Sequence, residues 1–347
     1  MTPERPAGTG GDGPTAAQSV LRLAGLATPM ALRVAATLSL VERVGSAGAT
    51  AEDLASETGT AAPVLRRLLD HLVTVGIFER DEEGGRYRPT SLGDELRSDA
   101  PSGVRLLLDV NSAGGRAELA FVDLLHTITT GEPAYPHRYG RDFWADLDAR
   151  PELRRSFDAQ MNRRFRVQAA QIAERYDWGR FTEILDVGGG DGTVLAAILA
   201  AHPEVRGRVL DLPPTAAAAA DRFAAAGLGE RAAVVAGSFF DPLPTGAEAY
   251  LLSDVVHDWD DAQASRILAG CARAAGPHGT VVVIEPVLGQ GVDTAADLFM
   301  LMCFGGQERT VDELARLAGS SGLALRSSAA VAEGRTLLEF GVSADPG

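Results

Sequence analysis

The chain has 347 residues, 46% of them apolar, which is long for a single domain and ample for buried cores. Its formal net charge of −15 argues against nucleic acid, whose binding rests on neutralising phosphates, and against anionic membrane surfaces. The two cysteines, Cys271 and Cys303, lack metal or CxxC spacing and read as reduced core residues of a cytoplasmic protein. No apolar run reaches the ~18 residues of a membrane span, and the N-terminus has no basic region leading an apolar core, so no secretory signal is expected.

Residues 1–18 are rich in Gly, Pro and Thr and are expected to be a disordered tail. From Ser19 to Val44 apolar residues recur at three and four, predicting two helices broken near Thr28 and Pro29. Thr50, with Asp53 three residues on, forms a capping box for the next helix. A further helix and a hairpin turning at Gly84 and Gly85 complete a winged-helix pattern over residues 19–100. Arg66, Arg67 and His71 on its second helix suggest a DNA-binding regulator. Glu52, Asp53, Glu57, Asp70, Glu79, Asp81, Glu82 and Glu83 surround them and would repel phosphate, so subunit pairing is the better expectation. Residues 101–178 read as a helical linker and cap, with aromatic-rich stretches at 131–144 and 156–165 able to wall a pocket for a flat ligand.

Residues 179–347 alternate strand and helix. Strands are predicted at 184–187, 207–211, 232–236, 249–253, 280–285, 324–331 and 335–342, and helices at 192–202, 214–226, 261–275 and 311–321. This is an α/β pattern: a Rossmann-like, mostly parallel sheet ending in an antiparallel edge hairpin. The stretch Ile184–Leu195, ILDVGGGDGTVL, reads as strand, tight turn and helix, the usual nucleotide-binding unit of such a sheet. A dinucleotide would want a third glycine where Thr193 stands. Asp186 would repel a pyrophosphate and suits a cofactor with a cationic end, such as S-adenosylmethionine. Asp211, 23 residues past Gly188, ends the next apolar run near the ~20-residue offset at which an acid grips a ribose diol.

Ligands in such sheets sit beyond the strands' carboxyl ends. There the third strand is followed by Ser238 and Phe239, able to meet an adenine; the fourth by Ser253 and SDVVHDWDD with His257; the fifth ends at Glu285. Methyl transfer from a sulfonium needs an in-line, deprotonated nucleophile. A histidine beside a carboxylate is a natural base for a phenol, though a lone loop histidine fits a purely structural role equally well.

LDVGGGDG, DLP, GSFF, SDVVHDWDD, IEP and GGQERT together resemble the plant-type, class I small-molecule O-methyltransferases and their bacterial antibiotic-pathway relatives, over nearly all of residues 19–343. The resemblance implies a homodimer without metal that methylates a phenolic hydroxyl of an aromatic small molecule. It assigns His257 as base, Glu285 as its orienting acid and Glu308 as a flanking acid. The cofactor set it implies is Gly188, Asp211, Ser238, Phe239, Ser253 and Arg154, with Met161 and Asp258 beside the substrate. Ser238 and Ser253 depart from the plant pattern, which carries an acid and a lysine there. N- or C-methylation, or altered chemistry on the same fold, is the alternative reading.

Overall fold

The structure is a computed structural model that describes residues 15–81, 85–290 and 293–343. It divides into two compact units on either side of the Ala100–Pro101 bond.

In the first unit, helix α1 (Ala16–Ala24) begins inside the stretch read as tail, because Thr15 and Gln18 close a capping box at its start. The break before α2 (Ala27–Thr37) falls at Gly25, whose backbone is extended, and not at Thr28 and Pro29. Pro29 instead sits in the first turn of α2, where a missing N–H costs no helical bond. Ala16–Thr37 is long and apolar enough by composition to cross a membrane. Split at Gly25 into nine and eleven residues, it offers helices of roughly 14 and 17 Å, each short of a ~30 Å hydrocarbon core. Helix α3 (Leu40–Val44) follows, then α4 (Ala51–Thr58), which starts on the Thr50–Asp53 capping box. Helix α5 (Ala62–Thr74) buries Leu65, Leu69 and Leu72, one face of a 3.6-residue period. Strands β1 (Phe78–Arg80) and β2 (Tyr87–Pro89) pair antiparallel; residues 82–84, in the tip read as a turn, lie outside the described residues.

The second unit opens with five short helices, α6 to α10 (Val104–Leu108, Ala113–Glu118, Leu124–Thr130, Ala134–Tyr139, Phe143–Ala149), and the long α11 (Pro151–Glu174). Strands β3 (Glu183–Val187), β4 (Arg206–Asp211), β5 (Ala232–Ala236), β6 (Ala249–Ser253) and β7 (Thr280–Glu285) form a parallel sheet. An antiparallel hairpin, β8 (Leu323–Ala332) and β9 (Arg335–Val342), closes one edge, and the order is β5-β4-β3-β6-β7-β9-β8. Every expected strand appears within one residue of its expected bounds. Helices α12 (Thr193–Ala201), α13 (Pro213–Ala225), α14 (Asp261–Ala275), α15 (Thr294–Phe304) and α16 (Val311–Ser320) connect them. Helix α15 is absent from the sequence expectation. Its apolar run, Leu298–Phe304, is continuous, so it carries no amphipathic period to read.

The strand order reverses between β3 and β6, and the crevice at such a switch point is where ligands bind. Because β9 runs against β7, its first residue arrives at the same rim: Glu285 at the end of β7 lies opposite Thr336.

Candidate active site

A cavity of 610 Å³ lies over the carboxyl ends of β3, β4, β5 and β6, roofed by the helical cap. On its β3 side the chain turns at Gly188 with φ +73°, a conformation that favours glycine. A Cβ on Gly189 would stand 2.4 Å from the Asp186 carboxylate, so glycine there is a matter of space. Asp186 is fully buried, lines the cavity, and has no hydrogen-bond partner for either oxygen. Burial, with smaller contributions from Asp211 and Asp191, pushes its pKa up to about 8. A buried acceptor pair without donors fits a ligand that brings cationic or N–H donors. Asp211 accepts from Gly190 N–H (2.9 Å) and Leu212 N–H (2.7 Å), and burial raises its pKa. The Ser253 hydroxyl is also buried without a partner, while the Ser238 hydroxyl accepts from Phe240 N–H at 3.1 Å. Phe239 and Arg154 line the same space, Arg154 paired with Asp148 at 2.6 Å.

On the β6 side, a 3-10 turn (Val256–Asp258) carries His257, 4% exposed, into the cavity wall. Its Nδ1 lies 3.0 Å from Glu308 Oε1 and 3.7 Å from Glu285 Oε2, and its Nε2 lies 3.6 Å from Asp258 Oδ1. This corrects the expected division of labour: Glu308, and not Glu285, makes the orienting hydrogen bond. Glu285 is otherwise engaged, its Oε1 accepting from Val255 N–H (3.1 Å) and Val256 N–H (2.8 Å), which shapes the turn itself. Burial depresses the imidazole pKa, but the charges of Glu285, Asp258 and Glu308 outweigh it and hold the group well above its ordinary value. Burial pushes Glu285 up to about 8 and Asp258 up to about 6.

The segment after α15, GGQERT, is wired to that turn. Gln307 N–H donates to His257 O at 2.9 Å, and Arg309 donates to Val256 O and Trp259 O at 3.2 and 2.9 Å. A Cβ on Gly306 would meet His257 O at 2.1 Å. Gly306 and Arg309 escaped sequence reasoning, although the motif containing them was visible. Asp254 also escaped it. Its oxygens approach His257 and Glu285 closely enough to share an ion, but both face the Arg335 guanidinium at 2.9 Å.

The remaining wall is aromatic. Phe143, Trp144, Phe157 and Phe304 meet in edge-to-face and stacked contacts at 5.1 to 5.6 Å between ring centroids. Met161 of α11 joins them at the cavity. Behind this wall Asp146, fully buried, binds Arg116 at 2.9 Å and the Tyr135 hydroxyl at 2.8 Å, which fixes α7, α9 and α10 to one another. Of the eleven residues expected at the site, nine line the cavity; Glu285 and Glu308 stand behind His257.

A glycine turn at the switch point of a doubly wound sheet, joined by one cavity to a buried imidazole and an aromatic wall, defines a Rossmann-like enzyme of small molecules. The model for the O-methyltransferase domain matches residues 121–324, and that for the O-methyltransferase dimerisation domain matches residues 21–99. The 2,7-dihydroxy-5-methyl-1-naphthoate 7-O-methyltransferase of Streptomyces carzinostaticus is 51% identical, over 88% of this chain and 92% of its own. The aclacinomycin 10-hydroxylase of Streptomyces purpurascens is 46% identical, over 92% of this chain and 87% of its own. A solved O-methyltransferase from neocarzinostatin biosynthesis, in complex with S-adenosylmethionine and 2-hydroxy-5-methyl naphthoic acid, matches with a TM-score of 0.88. It is 50% identical, with 92% of this chain and 98% of that chain covered. This chain belongs to the O-methyltransferase family and carries both its catalytic and its dimerisation domains.

Proposed function

We propose that the protein transfers the methyl group of S-adenosylmethionine to a phenolic hydroxyl of a fused-ring aromatic small molecule, as a homodimer working in the cytoplasm on an antibiotic pathway. The observation that carries this reading is the single cavity that runs from partnerless Asp186 to the imidazole of His257. When bound, the cofactor supplies a sulfonium methyl whose departure needs no acid. Asp186 and Arg154 would hold the charged groups of its amino-acid end. Asp211 would take the ribose diol, Phe239, Ser238 and Ser253 would bracket the adenosine, and the bare Gly188 backbone would let it lie close.

A phenol, with a pKa near ~10, keeps its proton at neutral pH. His257 Nε2 takes that proton, and Glu308 holds Nδ1–H and stabilises the resulting imidazolium. Asp258 and Met161 position the acceptor ring, and the aromatic wall excludes water and favours a flat substrate. Dimerisation is supported by the matched dimerisation domain and by α1, where Val20, Leu21 and Leu23 are 63%, 71% and 89% exposed.

The test is incubation with S-adenosylmethionine and a panel of hydroxynaphthoic acids, read by mass spectrometry. Addition of one methyl to a hydroxyl is expected. A product gaining oxygen would move the chain toward the hydroxylase among its relatives. No product, together with no heat of binding for cofactor or its demethylated form, would overturn the reading.

A further inference from the structure

The turn that presents His257 is strained at one place. Among the described residues only Ser39 and Asp254, glycines aside, have positive φ, and Asp254 (φ +52°) stands three residues before His257. Such a conformation is unfavourable for a non-glycine residue and persists where its surroundings hold it. Two contacts hold it here. The Asp254 N–H donates to Ile284 O of β7 at 3.0 Å. Its Oδ2 accepts a hydrogen bond from a terminal nitrogen of Arg335 at 2.9 Å, and Arg335 Nε stands 2.9 Å from Oδ1 as an ion-pair contact, with both side chains 6% exposed. A second cation, Arg164 of α11, stands 3.7 Å from Oδ2.

The charges around the imidazole are unbalanced. From its own turn come Asp254 and Asp258, from β7 Glu285, and from the segment after α15 Glu308. Cys303 of α15 lies near Asp258 but is neutral, since burial holds its thiol well above the ordinary value. The guanidinium groups of Arg335 and Arg164 are the cations paired with this cluster, and both sit on Asp254. Arg309 spends its charge on Asp261 and on backbone carbonyls. Without Arg335, a fourth buried carboxylate would act on the imidazole with only the more exposed Arg164, 3.7 Å from Oδ2, to offset it.

We propose that Arg335 is a positioning residue: its hydrogen bond and ion pair with Asp254 pin the left-handed turn that presents His257, and its charge offsets one carboxylate of the cluster around the imidazole. The inference rests on the reading of His257 as base only for its kinetic consequence. The electrostatic part concerns the imidazole itself. Arg335 reaches the site because β9 is antiparallel, so that its first residue stands where the parallel strands end.

The experiment uses full-length protein with nitrogen-15 labelled histidines, the His257 signal being assigned by its loss in His257→Ala. In Arg335→Gln the imidazole is expected to titrate roughly one pH unit higher than in the wild type. The acid limb of kcat should move with it, while KM for both substrates stays within about twofold. Asp254→Asn should titrate lower than the wild type, and the double variant Arg335→Gln with Asp254→Asn should return toward the wild-type value. Arg335→Lys, which keeps the charge and loses the guanidinium's hydrogen bond to Oδ2, should keep the titration and lower kcat. An unmoved His257 titration in Arg335→Gln, with no return in the double variant, overturns the proposal and leaves Arg335 a plain stabilising residue. If Arg335→Gln does not fold, Asp254→Asn decides alone: a lower titration supports the pair and an unchanged one overturns it. A shifted imidazole with an unshifted acid limb would refute the base reading and leave the electrostatic pairing intact.

Discussion

At the scale of single residues, the site is an imidazole with a crowded carboxylate environment, and this fixes how activity should depend on pH. A base must be deprotonated to act, and carboxylates raise the pKa of His257 above its ordinary value. Turnover should therefore fall as pH drops through that raised value, placing the acid limb of kcat above the usual histidine range near ~6.5. A limb at or below that range would show that some other group is titrating. His257→Ala should keep cofactor affinity by calorimetry and lose about 10²-fold or more in kcat. Glu308→Gln should lower kcat with little change in melting temperature, because a 3.0 Å partner of Nδ1 is weakened without loss of volume. Glu285→Gln should instead cost stability first, since the Glu285 carboxylate accepts from two buried amides. Equal behaviour of the two variants would erase the distinction drawn between them.

At the scale of elements, the loop after α15 is a clamp on the turn that carries His257, and its tightest point is Gly306. Gly306→Ala would put a methyl group 2.1 Å from His257 O. The backbones must separate, at a cost of about 1–3 kcal/mol as for other overpacked sites. Thermal melts should show that loss, and kcat should fall with it; an unaffected variant would mean that the two segments are not locked together. The same region shows what a sequence discloses. The sheet was legible because β-branched runs bounded by turn residues have a period, and the glycine turn because acid, glycines and apolar run stand side by side. Helix α15 was not, since a helix packed on several sides has no polar face to alternate. Gly25 was passed over because Pro29 is the stronger breaker by reputation, yet proline is harmless in a first helical turn. Glu285 and Glu308 were both named, but which one meets Nδ1 depends on 0.7 Å between 3.0 and 3.7 Å, and spacing carries no such resolution. The Asp254–Arg335 pair joins residues 81 positions apart and has no local signal at all.

At the scale of the whole molecule, the two units carry exposed apolar surface of their own: Leu23 and Leu26 (89% and 64%) in the first, Val122, Leu125 and Ile128 (57%, 74% and 63%) in the second. Such surface is unstable in water unless covered. Replacing Leu23 and Leu26 together by Asp should convert dimer to monomer in light scattering; a dimer of unchanged mass would locate the interface elsewhere. Cofactor binding should also stabilise the fold. At ~100 times its Kd the demethylated cofactor contributes about 2.7 kcal/mol, a rise of several degrees in melting temperature. The antiparallel hairpin has a temporal consequence as well. Translation delivers a chain from its N-terminus at about 5–20 residues per second, and Arg335 lies on the final strand. The nascent polypeptide thus completes the glycine turn between β3 and α12 well before Asp254, beside His257, receives its cation. The surroundings of the imidazole are finished only when β9 has been made.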